Sequence, residues 1–171
     1  IDFDLAENIF LKPINFKSNY KNGSNIKSEI NFINNNIIFN YIKFTESKNL
    51  ISINGLKLNN KKEIASISSV VVRTFNDNKQ NNNFKISFDK KISIIGTEYD
   101  ATHLFKEFSN NNKSNSFKNY TKDIEIKFNN LIIKKIPLKD FNLIGQINKG
   151  KFEKLSAKSE FSKTKYLDIS L

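Results

Sequence analysis

The chain has 171 residues, enough for one domain with a real core. It carries 28 Lys plus Arg against 17 Asp plus Glu, a net charge of +11, and it has no Cys, Met or Trp. The missing cysteines exclude a disulfide scaffold, a cysteine nucleophile and thiolate metal sites, and no apolar run approaches the roughly 18 residues of a membrane-spanning helix.

Much of the apolar content is Ile and Phe, with 16 Phe in all. Heavy use of Ile, Asn, Lys and Phe is what an AT-rich genome produces, and such a bias dilutes functional readings of Lys and Asn. The basic balance invites nucleic acid or anionic lipid. Arg73 is the sole arginine, however, and Arg is the usual residue for bidentate reading of guanine or phosphate. The lysines are scattered and alternate with apolar residues, the pattern of a solvated sheet face. The chain starts at Ile1, as a segment cut from a longer protein would, and residues 1–171 read as one β-rich unit with no internal boundary.

In chain order, strict alternation of apolar and polar residues is the main signal. The cluster "NYKNGSN" reads as a turn, and "SEINFI" then alternates through Ile30 and Phe32. "NNN" at 34–36 is a second turn, and "NLISINGLKL" alternates through Ile51 and Ile53. "EIASISSVVVRTF" reads as one long central strand, with a bulge or with burial on both sides. "NDNKQNNN" is read as a turn cluster before "NFKISFD", which alternates through Phe84, Ile86 and Phe88.

The period then changes. Asp100 is placed to cap a short helix over about 101–109, with Leu104, Phe105 and Phe108 as its apolar stripe and His103, the only histidine, facing solvent. "SNNNKSNSFKN" at 109–119 reads as a flexible loop. "KDIEIKFN" alternates through Ile124, Ile126 and Phe128, and "KDFNLIGQI" through Phe141, Leu143 and Ile147. "QINKGKF" reads as a hairpin turned at Gly150. "KLSAKSEF" and "YLDISL" supply the last two strands. Strand and turn follow every 8–14 residues or so, which favours a mainly β, meandering antiparallel sheet with one short helix.

Sites for chemistry are scarce. His103 and Glu107 are an i, i+4 pair near Glu98 and Asp100, but there is no second His and no H-E-x-x-H pattern to complete a metal site. The acids sit beside lysines on outward strand faces, not paired in a cleft. No G-x-S-x-G, P-loop or dinucleotide pattern occurs among the five glycines. Interleaved aromatic and basic residues, as in "NFKISFDKK", suit single-stranded nucleic acid only if both point to one face, and in a strand they do not. Neither an enzyme nor a cofactor or specific nucleic-acid partner is expected.

Two stretches carry a resemblance. In "SIIGTEYDATHLFKEF" a strand with Ile94 and Gly96 is followed by Tyr99, Asp100, Ala101 and Leu104. In "DIEIKFNNLIIKKIPLKDFNLIGQINKGKFEKLSAKSEF" an amphipathic strand precedes Leu138, Phe141, Leu143, Gly145, Ile147, Gly150, Phe152, Leu155 and Ala157. The strand–turn order of both resembles the AsmA-like envelope proteins, the group of YhdP and TamB. The resemblance covers about residues 84–171, and the first half shares only its β-rich character.

The resemblance implies a long, curled β-sheet in the periplasm of Gram-negative bacteria, held by an inner-membrane anchor outside this segment. It implies an apolar groove that conducts phospholipid acyl chains toward the outer membrane and supports envelope integrity, with no catalytic residues. The groove would be lined by Ile124, Ile126, Phe128, Phe141, Leu143 and Ile147. Two other readings stand beside it. One is a structural or adhesin-like β-domain with a closed core and no ligand. The other is a piece of an outer-membrane barrel, whose apolar band would face outward.

Overall fold

The structure, a computed structural model, describes residues 1–104, 121–149, 151–162 and 165–170. It is built from strands: β1 (Asp2–Asp4), β2 (Phe10–Leu11), β3 (Phe16–Lys17), β4 (Asn25–Ile33), β5 (Asn36–Glu46), β6 (Asn49–Leu58) and β7 (Ile64–Ser66). There follow β8 (Ser69–Asn76), β9 (Lys79–Phe88), β10 (Ile92–Asp100), β11 (Lys122–Ile133), β12 (Ile136–Asn148), β13 (Lys151–Ser162) and β14 (Lys165–Ser170). Twelve of them form one open sheet in the order β1-β4-β5-β6-β8-β9-β10-β11-β12-β13-β14, with β7 also paired to β6. β2 and β3 form a separate two-stranded ribbon in the N-terminal segment, joined by a single 3-10 turn at Lys12–Ile14 and followed by another at Tyr20–Asn22.

The sheet is a meander because its turns are tight. Asn34 and Asn35 join β4 to β5 with φ of 47° and 61°, and Asp77 and Asn78 join β8 to β9 with 48° and 63°. Two successive positive φ values match the twist of the flanking strands, and Asn tolerates them well. Lys134 and Lys135 turn β11 into β12 with the same geometry, at 49° and 70°. That turn has no Asn or Gly to announce it. In the β12–β13 hairpin Lys149 has a φ of 49°, and Gly150 lies outside the described residues.

Three expectations are corrected. First, the sheet is mixed: β10 and β11 run parallel, from Ile92↔Ile124 to Asp100↔Ile132. A parallel pair needs a crossover of a dozen or more residues, and residues 101–121 supply it. Second, the stretch read as one long strand is two, β7 and β8, broken at Ile67 and Ser68. Gly55 on β6 has a φ of +63°, and Ser68 Oγ lies 2.2 Å from where a Cβ would stand, so the break seats Ser68 against the glycine. Third, Gln80–Asn83 is strand, not turn. Its asparagines are kept in the sheet by partners for their side chains.

The expected helix is described only at its start. Asp100 ends β10, and its carboxylate accepts from the Thr102 backbone N–H at 3.1 Å and the Thr102 hydroxyl at 2.6 Å. The Leu104 N–H donates to the Ala101 carbonyl at 3.1 Å. Phe105, Glu107, Phe108 and the expected loop at 109–119 lie outside the described residues.

Candidate functional site: an apolar track across the sheet

Alternation puts every second side chain of a strand on one face, and register lines these up from strand to strand. One row runs Ser28, Ile42, Ile53, Val70 and Ile86. It continues without a gap through Ile94, Ile126, Leu143, Ala157 and Ile169. Nine inter-strand steps of about 4.8 Å make this track roughly 43 Å long. Its Ile, Val and Leu members from Ile42 to Leu143 are all half-buried, so they keep surface for another apolar group.

A second row lies beside it: Ile26, Phe44, Ile51, Val72, Phe84, Gly96, Phe128 and Phe141. Here Phe44, Val72, Phe84, Phe128 and Phe141 are buried, Phe128 to 2% exposure. Gly96 has no side chain between Phe84 and Phe128, so the two rings meet edge to face with centroids 5.7 Å apart. Tyr99 closes the group, 4.9 Å from the Phe84 ring and 5.2 Å from the Phe128 ring.

The N-terminal segment covers this second row. Phe16, 1% exposed, meets Phe44 edge-on with centroids 5.7 Å apart, and Ile14 packs on the cluster around Val72, Phe84 and Phe128. Leu104 packs on the same cluster from the crossover.

A polar belt at the strand ends holds the segment down. Asn82, with 0% exposure, donates from Nδ2 to the Ile14 carbonyl and to Thr74 Oγ1, both at 2.7 Å. Its Oδ1 accepts from the Asp100 backbone N–H at 3.0 Å. Asn15 Nδ2 donates to Asp100 Oδ2 at 2.7 Å, and Tyr99 Oη donates to the Pro13 carbonyl at 3.1 Å. Farther along, the buried Glu46 carboxylate accepts from the Asn19 N–H at 2.9 Å and from Ser24 Oγ. A buried polar group must find such partners or destabilise the fold.

The opposite face is polar. Its middle row runs Lys27, Lys43, Ser52, Val71 and Lys85, then Ile95, Lys127, Asn142, Lys158 and Asp168. Lys127 and Lys91 bracket Glu125 and hold its carboxyl down at about 2. Asp2 is likewise lowered, by hydrogen bonds from Asn25 and then Lys27. Burial, and then the neighbouring Asp100 charge, push the Tyr99 hydroxyl up to about 12.

The six expected groove residues share one face, in the facing pairs Ile126–Leu143 and Phe128–Phe141. They do not share one environment. Ile124, Phe128 and Phe141 are buried core, while Ile126, Leu143 and Ile147 keep accessible surface. His103 does not face solvent freely: it is half-buried, and its ring meets Phe10 edge-on at 6.1 Å. Among the described residues no three His, Cys, Asp or Glu side chains gather to hold a metal ion, and no helix is long and apolar enough to cross a membrane. Asn82, Thr74 and Glu46, which seat the N-terminal segment, match no motif in the sequence. Their only local signal is polar residues at apolar-face positions of alternating strands.

No family model, curated protein or solved structure matches this chain.

Proposed function

We propose that the chain is a non-enzymatic, lipid-binding and lipid-conducting β-groove segment of an AsmA-like envelope protein. In this reading it lies in the periplasm and guides phospholipid acyl chains toward the outer membrane. The observation that carries it is the half-buried track from Ile42 to Leu143, unbroken across seven strands. Each methylene laid on such a surface contributes about 0.8 kcal/mol when fully buried, so a long acyl chain is held by many weak contacts and by no single residue. The Phe-rich row then acts as the closed wall, and the track beside it as the conduit.

Leu143→Asp puts a charge on the track at a position already in contact with water. The variant is expected to fold and to bind a fluorescent phospholipid at least tenfold more weakly. Undiminished binding by folded Leu143→Asp would contradict the assignment.

The burial of the second row under Phe16 and Ile14 favours a second reading, a structural β-domain with a closed core. In that case neither the parent nor the variant takes up the lipid.

A further inference from the structure

The corner made by the β4–β5 turn, the far end of β6 and β7 carries an apolar patch apart from the track. Register sets Phe32, Ile37, Leu58 and Ile64 side by side, with Ile30 and Phe39 directly behind. None of these is buried. Phe32 is 78% exposed, Ile64 66% and Ile33, next to the turn, 51%. Scattered surface apolar residues are ordinary, but adjacent ones at a projecting tip mark a contact surface.

The same corner is basic. Lys61 and Lys62 lie exposed in the turn before β7, while Lys57, adjacent to Leu58 in β6, lies on the other face of the strand. Two carboxylates are near: Glu63, which accepts from Asn59 Nδ2 at 3.1 Å, and Glu29 on β4, which accepts from Asn40. Lysine is depleted from protein–protein interface cores, so an apolar tip set among lysines fits a protein partner poorly. It fits the boundary between phosphate headgroups and acyl chains, where aromatic and aliphatic tips insert and lysines meet phosphate.

We infer that this corner seats on an anionic bilayer surface. Phe32 and Ile64 enter the headgroup–acyl boundary, and Lys61 and Lys62 contact the phosphates. The inference goes beyond the groove reading and does not depend on it: a chain with no conduit could still dock this way.

Co-sedimentation of the chain with phosphatidylcholine vesicles, with and without phosphatidylglycerol, tests it. Binding is expected to the anionic vesicles and to fall as salt rises. The double variant Phe32→Ser, Ile64→Ser should weaken it at least tenfold. Lys61→Glu with Lys62→Glu should weaken it roughly fivefold or more per lysine. Tyr166→Ser, at an exposed aromatic (70%) on β14, should change nothing.

Three results would overturn the inference. One is no binding to either vesicle. Another is an equal effect of the corner variants and Tyr166→Ser, which would mean general adsorption of a basic protein. The third is concentration-dependent self-association that the corner variants abolish and vesicles do not compete with. That outcome would assign the patch to a second copy, seated along the stretch of β4 beyond Ser28 that lacks a neighbouring strand among the described residues. Leu143→Asp should lose phospholipid binding and keep vesicle binding; undiminished phospholipid binding would count against the conduit alone, and absent vesicle binding against this docking alone.

Discussion

Asn82 is a fully buried amide that holds three segments at once: β8 through Thr74, β10 through the Asp100 N–H, and the N-terminal segment through the Ile14 carbonyl. Asn82→Ala leaves two backbone groups and a hydroxyl without these bonds in a site closed to water. The expected loss is about 2–4 kcal/mol in a urea unfolding curve. Tyr99 gives a pH signature. Its folded pKa, about 12, stands above the ordinary 10. Its contribution is therefore complete below pH 10 and is lost as pH rises toward and through 12. Between those values stability should fall more steeply with pH in the parent than in Tyr99→Phe, measured by the same unfolding curve. At this scale the sequence was least legible. Asn82 sits in a run of Asn whose composition says turn, and only its register opposite Thr74 and its contact with Ile14 show what it does. Asp100 was legible as a local cap, but its bond to Asn15 spans 85 residues and has no local signal.

Elements are set by backbone geometry. At Gly96 an added Cβ would stand 2.4 Å from Phe84 Cβ and 2.3 Å from the Asn83 carbonyl oxygen. Gly96→Ala is expected to cost about 2 kcal/mol or more by forcing β9 and β10 apart, and the thermal midpoint would report it. At Lys135, φ is 70°, which costs a non-glycine residue about 1 kcal/mol. Lys135→Gly should raise stability by roughly that amount; a decrease would mean that the lysine side chain contributes more than the strain it imposes. Alternation made β9, β11 and β12 readable, because Phe84, Ile86 and Phe88, or Ile124, Ile126 and Phe128, keep a period of two. The parallel pairing of β10 with β11 was not readable. A capped helical pattern after a strand fits an antiparallel cover as well as a crossover, and only partner choice separates them. The break at Ile67 and Ser68 was hidden for a similar reason, since Gly55, which it accommodates, lies on another strand.

For the whole molecule, an open sheet of twelve strands has two apolar rows on one face and a Lys- and Asn-rich face behind. The N-terminal segment covers the Phe-rich row and leaves the Ile- and Val-rich row half-buried. The apolar face was legible from alternation in β4, β6, β9, β11 and β12, but not in β5, which holds Ile42 and Phe44, nor in the unbroken Val70–Val72 run of β8. Which half is closed was not, because the covering residues Ile14 and Phe16 lie in a stretch without a strand-like period. If the half-buried track is an open acyl-chain surface, as proposed, the chain purified without detergent carries phospholipid in near-stoichiometric amounts, read by mass spectrometry of its organic extract. A folded chain with no lipid would contradict it and leave a sheet whose apolar face serves only its own core.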